Sequence, residues 1–138
     1  VPGLGAPHPD HPGRGGSVGE EFTRSQLAGD DLDWLGGLPL QQRVSLGGAS
    51  FHLVHGAPIK PLSKRLHLLM APEATLEAEV AEIGADVLFV GHTHVPGLRE
   101  VGETIIVNPG SLGQPRHGTP QGTYAVWLDG ELAIRHLR

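Results

Sequence analysis

Apolar residues fall along this chain in two rhythms, one suited to helices and one to strands. Between Pro72 and Ile83, Leu76, Val80 and Ile83 recur at three- and four-residue intervals, with Glu73, Glu77, Glu79 and Glu82 between them. That pattern predicts a helix with one buried face. Pro72 suits the start of such a helix, where an amide donor is not needed, and Gly84 suits its end. Val87-Leu88-Phe89-Val90 has no polar alternation and predicts a strand covered on both sides. Arg43 to Leu46 and Phe51 to Val54 flank Gly47-Gly48 and read as a hairpin. Thr104 to Val107 predicts a further strand. Thr123 to Leu128 and Leu132 to His136 predict a second hairpin through Asp129-Gly130.

The amino-terminal part has a different character. Pro2, Pro7, Pro9 and Pro12, with Gly3, Gly5, Gly13, Gly15, Gly16 and Gly19, do not favour a helix or a strand ladder. An irregular or disordered arm is therefore expected, assigned to residues 1–24, with a partial domain over residues 25–138. From Ser25 to Leu38, however, Leu27, Leu32, Trp34, Leu35 and Leu38 return at helical spacing. Asp30, Asp31 and Asp33 stand where a helix amino terminus favours negative charge. A short amphipathic helix ending near Gly36-Gly37 is predicted there. Pro58 and Pro61 predict an extended loop, and no internal repeat is present.

Composition narrows the function classes. The 138 residues suffice for one domain or part of one, with 38% hydrophobic residues. Cysteine is absent, which excludes disulfides, thiolate ligands and cysteine nucleophiles, and a cytoplasmic location is expected. The net charge is −5 and the ten basic residues are scattered, so no concentrated positive field draws nucleic acid. No apolar stretch approaches the roughly 20 residues of a membrane span, so a soluble protein without a membrane partner is expected.

Candidate chemistry gathers where predicted strands end. Gly91-His92-Thr93-His94 directly follows Val87–Val90, and His55-Gly56 follows Phe51–Val54. Strands lying side by side release their loops at a common edge, and neutral imidazoles collected there are the usual ligands of zinc, manganese, iron or nickel. His92 and His94, two apart, would share one side of a continuing strand, and Gly91 leaves room for close approach. The simpler alternative is three polar loop residues at strand ends. Asn108-Pro109-Gly110-Ser111 through Arg116 follows the next strand and is rich in turn formers. Its Gly110 and Ser111 amides are candidates to face an anion, and Arg116 has the planar fork that suits phosphate; a plain surface turn with a solvated arginine is the alternative.

His55-Gly56-Ala57-Pro58, Gly91-His92-Thr93-His94 and Asn108-Pro109-Gly110-Ser111 through Arg116, in that order, resemble the calcineurin-like metallophosphoesterases, specifically their compact bacterial and archaeal phosphodiesterase-like branch. The resemblance covers roughly Asp30 to Arg138. It implies an α/β (α+β) fold of two packed mixed sheets flanked by helices. It also implies hydrolysis of phosphate esters by hydroxide on a divalent metal, with two ions in a complete domain. His55 and His92 match ligands of one ion and His94 a ligand of the other; Asn108, Gly110, Ser111 and Arg116 are the substrate-binding candidates.

The resemblance is that of a carboxyl-terminal half. The family's Asp-x-His, its Gly-Asp with a bridging carboxylate, and its Gly-Asn-His-Asp have no counterpart here; Asn108, the only asparagine, already belongs to the third motif and leaves none for Gly-Asn-His-Asp. His8, Asp10 and His11 come in the wrong order, and Gly29-Asp30 opens a predicted helix. The amino-terminal half of the domain is thus expected to be missing, and Val1 in place of Met leaves room for a start farther upstream. A sheet left without partner strands would expose apolar surface and invite self-association. Two functions follow: a metal-dependent phosphoesterase whose short chain is impaired, or a non-catalytic metal-binding or interaction module retaining the fold's second half.

Overall fold

The structure is a computed structural model that describes residues 14–57, 71–116 and 121–137, with side chains from residue 19 onward. It divides at Pro39 and Leu40 into two compact units.

The first unit holds helices α1 (Arg14–Gln26) and α2 (Gly29–Gly36). The sequence reading departs from the structure here, because residues 14–24 are helical rather than irregular. Local bonds support α1 despite its glycines: Arg24 pairs with Glu20 one turn earlier at 2.9 Å, and Thr23 Oγ1 donates to the Gly19 carbonyl at 2.8 Å. Helix α2 begins with Asp30 and Asp31 in its first turn, as the charge pattern predicts, but is shorter than expected. None of its residues is buried, and Trp34 is 66% exposed, so the expected amphipathic face is not covered. The predicted arm before residue 14 and the loop at Pro58 and Pro61 lie outside the described residues.

The second unit contains β1 (Gln41–Leu46), β2 (Ala49–Val54), α3 (Glu73–Ile83), β3 (Val87–Phe89), β4 (Gly97–Val101), β5 (Thr104–Asn108), β6 (Thr123–Leu128) and β7 (Glu131–His136). Five strands form one mixed sheet in the order β1-β2-β3-β5-β4, and β6 and β7 form a separate antiparallel pair. β2, β3 and β5 run parallel in the centre, with β1 and β4 antiparallel at the two edges. The β1–β2 hairpin turns at Gly47-Gly48 with both φ positive, at 59° and 84°. Asp129-Gly130 does the same between β6 and β7, at 51° and 86°. Positive φ at both central residues matches the right-handed twist of the flanking strands.

Alternation along the strands sorts side chains onto two faces. Val54, Leu88, Val90, Val101 and Ile106 meet Leu76 and Val80 of α3 on one face. Phe51, Val87 and Val107 meet Ala125, Trp127, Leu132 and Ile134 of the two-stranded sheet on the other. Phe51 and Trp127 stand edge to face, with ring centres 5.1 Å apart. Helix α3 begins immediately after Pro72 and ends at Gly84, whose φ of 58° is left-handed, as expected from the sequence. It is tied to opposite edges of the sheet. Arg99 of β4 donates to the Ala71 carbonyl at 2.9 Å and pairs with Glu73, while Arg43 of β1 donates to the Ile83 carbonyl. Strand β4 was not foreseen: its outward Leu98 is 47% exposed, and only Val101 is buried.

Candidate functional site

Three parallel strands in direct succession place three loops at one edge of the sheet. His55 follows β2, Gly91 to His94 follow β3, and Pro109 onward follow β5. The Gly91 amide donates to the His55 carbonyl at 3.0 Å, joining the first two loops. A side chain at position 91 would place its Cβ 3.3 Å from that carbonyl and 3.4 Å from the His55 ring, so the first loop would have to give by a few tenths of an ångström. The His55 and His92 rings meet edge to face with centres 5.5 Å apart.

His92 and His94 do not share a side through strand alternation, because the strand has ended at Phe89. Both adopt positive φ, 72° and 61°. A residue with a Cβ pays about 1–3 kcal/mol for such backbone, and it persists where the surroundings over-determine it. His94 Nδ1 lies 2.9 Å from the Gln114 carbonyl. A carbonyl only accepts, so Nδ1 carries the proton and the Nε2 lone pair stays available, the arrangement common for metal-binding histidines. The Arg116 amide donates to the His94 carbonyl at 3.3 Å, so the glycine-rich loop lies beside His94, as the sequence reading expects.

Within that loop the structure corrects two assignments. Asn108 is 2% exposed, and its side chain bonds to Gly91, Thr93 and Gly110 rather than reaching outward. The Gly110 amide donates to Asn108 Oδ1 at 2.9 Å, so it is committed within the loop and not offered to an anion. Ser111 is held at both ends. Its carbonyl accepts from the Thr123 amide at 3.0 Å, and its Oγ accepts from the Gln114 amide at 3.0 Å. Arg116 is exposed at the same edge. Of the phosphate-binding candidates, it is the charged one, and its backbone is bonded to His94.

The fit to a metal is partial. An ion about 2.1 Å from two imidazole nitrogens lies about 3.2 Å from each ring centre, so at a tetrahedral angle the centres are about 5.2 Å apart. The His55–His92 spacing suits that arrangement. Among the described residues, however, no group of three or more His, Cys, Asp or Glu side chains is placed to hold an ion. The nearest carboxylate to these strands in sequence, Asp86, caps their other end. It accepts from the Ser50 amide and hydroxyl at 2.6 Å each, and these bonds hold its pKa below the usual carboxylate value. His8, Asp10 and His11 lie outside the described residues. Among the described residues, His55 and His92 therefore suit part of one ion's shell, and no two-ion centre is formed.

Sequence reasoning missed His52. It is 5% exposed on the α3 face, and neither ring nitrogen has a hydrogen-bond partner among the described residues. Burial, and next the charge of its cross-strand neighbour Arg43, lower its pKa. Its place in an otherwise apolar strand was the available signal.

A layered α/β domain thus collects imidazoles at the carboxyl ends of its parallel strands. The comparisons make this specific: residues 27–129 match the calcineurin-like phosphoesterase superfamily domain, and the chain belongs to that family. A probable metallophosphoesterase of Methanocaldococcus jannaschii is 30% identical over 86 residues, covering 62% of this chain and 40% of the relative. An uncharacterized protein of the same organism is 25% identical over 150 aligned positions, covering 98% of this chain and 59% of its own length. A metallophosphoesterase from Sphaerobacter thermophilus shares the fold with a TM-score of 0.66 and 23% identity, covering 98% of this chain and 61% of that one. A hypothetical protein from Pyrococcus horikoshii does so with a TM-score of 0.70 and 20% identity, covering 86% and 48%. The chain thus spans about half the length of these relatives.

Proposed function

We propose that this chain carries the histidine half of a metal-dependent phosphoesterase site. The observation that carries the reading is the convergence of His55, His92, His94 and the Arg116 loop at one edge of β2, β3 and β5. His55 and His92 would hold one divalent ion, Mn, Fe, Zn or Ni, and His94 a second in a site completed by carboxylates. Such an ion supplies Lewis acidity toward a phosphoryl oxygen. The protein's own part is to present the imidazoles, to orient the His94 ring through the Gln114 carbonyl, and to supply in Arg116 a guanidinium that would clamp a phosphate ester.

Titration with inorganic phosphate, with and without Mn²⁺, tests the reading. Phosphate binding that requires the metal and weakens about tenfold or more in Arg116→Ala is expected, the loss of a charge-assisted bond being worth that much. Binding indifferent to both metal and Arg116 contradicts it. A second reading, a non-catalytic metal-binding module, is favoured by the absence, among the described residues, of any group of three or more His, Cys, Asp or Glu side chains placed to hold an ion. Chelator-sensitive turnover of an aryl phosphodiester by this chain would exclude it.

A further inference from the structure

The left-handed backbone at both His92 and His94 needs something to hold it, since each residue alone prefers negative φ. The turn they bracket has its own bonds: the Thr93 amide donates to the Gly91 carbonyl at 2.9 Å, and the Val95 amide donates to Thr93 Oγ1 at 3.2 Å. From the end of β5, one side chain reaches into it. Asn108 Nδ2 donates to the Gly91 carbonyl and to Thr93 Oγ1, both at 3.0 Å, and Asn108 Oδ1 accepts from the Gly110 amide at 2.9 Å. Its orientation is settled by its partners, because a carbonyl only accepts and an amide only donates. Every hydrogen of the carboxamide is used, and at 2% exposure water has little access to replace any of these bonds.

We propose that Asn108 is a positioning residue, a latch that couples the Gly91–His94 turn to the Gly110 loop and holds His92 and His94 in the backbone that presents their rings. This replaces the expectation that it contacts phosphate. The chemistry explains the residue type. A carboxamide is the short group with two donors and one acceptor in a plane, and a carboxylate of the same size would face the Gly91 carbonyl with no proton to give. Thr93 is the latch's second half, its hydroxyl oxygen receiving both Asn108 and the Val95 amide.

The test compares the parent with Asn108→Ala, Thr93→Val and Thr93→Ser, reading Co²⁺ affinity and visible spectrum alongside amide hydrogen exchange at Val95. Val95 is bonded to Thr93 and not to Asn108, so in Asn108→Ala its exchange reports the turn and not a deleted contact. In the Thr93 pair, where the hydroxyl is itself the acceptor of the Val95 amide, the amide of residue 93, bonded to the Gly91 carbonyl, is read instead. Asn108→Ala is expected to weaken Co²⁺ binding about tenfold or more, the usual effect of removing a group that orients ligands. It should also alter the spectrum and speed Val95 exchange. Thr93→Val should likewise weaken Co²⁺ binding and speed exchange of the residue-93 amide, and Thr93→Ser should restore the parental values. A folded Asn108→Ala chain with parental affinity and parental Val95 exchange overturns the proposal. So do Thr93→Val and Thr93→Ser chains that behave alike. If Asn108→Ala does not fold, the Thr93 pair decides. The cobalt readout alone rests on the reading that these histidines bind metal. If the parent binds no Co²⁺, that reading fails, and the latch stands or falls on amide exchange, at Val95 in Asn108→Ala and at residue 93 in the Thr93 pair.

Discussion

A histidine buried without a hydrogen-bond partner among the described residues is an unusual occupant of a strand, and His52 is expected to make the fold sensitive to pH. Burial lowers its pKa in the folded state, with the Arg43 charge adding to the effect, while the unfolded chain keeps an ordinary value of about 6.5. The unfolded state then binds more protons as pH falls below about 6.5, so stability drops with falling pH until the folded value is passed. Thermal melts of the parent and His52→Leu across pH 7.5 to 5 are expected to diverge, the variant losing less stability on acidification. Parallel curves would show that His52 titrates alike in both states. Asp86 acts in a lower range. Its bonds to Ser50 depress its pKa, so the stability it contributes is present above the ordinary carboxylate value and is lost as pH falls through the folded one.

At the scale of elements, α3 is held by a single face against the sheet. Leu76 is fully buried there, and Leu76→Ala is expected to cost about 2–5 kcal/mol, read as a lowered midpoint in urea unfolding. The loop after β5 is equally constrained. A Cβ at Gly110, whose φ is 84°, would run into the buried Thr123 Oγ1 at the start of β6. Gly110→Ala should therefore destabilise the chain, and Gly110→Ala combined with Thr123→Ala should recover part of the loss, leaving the backbone strain. Equal melting temperatures for the single and double variants would contradict the clash. These elements also show what the sequence could reveal. Helix α3, strand β3 and the two glycine-turn hairpins were legible because burial period and turn chemistry agree within a few residues. Strand β4 was not, since it owes its form to pairing with β5 and offers little buried surface of its own. Helix α1 was hidden by glycines that lower helix propensity without forbidding it. At the site, the three motifs and their common edge were readable from strand order. The left-handed turns and the internal commitment of Asn108 and Gly110 were not, because they depend on contacts between loops distant in sequence.

Over the whole molecule, the parallel order of β2, β3 and β5 brings separate motifs to one edge of the sheet, and the described residues place no group of three or more His, Cys, Asp or Glu side chains to hold an ion. Hydrolysis of an aryl phosphodiester by this chain should accordingly be weak even with Mn²⁺ present, because two-ion phosphoesterase chemistry needs both ions clamped together. The central claim is that His55, His92 and His94 are metal ligands, and calorimetric titration with Mn²⁺ and Zn²⁺ tests it most directly. The parent chain is expected to bind saturably, and a chain with His55→Ala, His92→Ala and His94→Ala to lose at least about tenfold in affinity while keeping its fold. Equal binding by the two chains, or no saturable binding by the parent, would contradict the account.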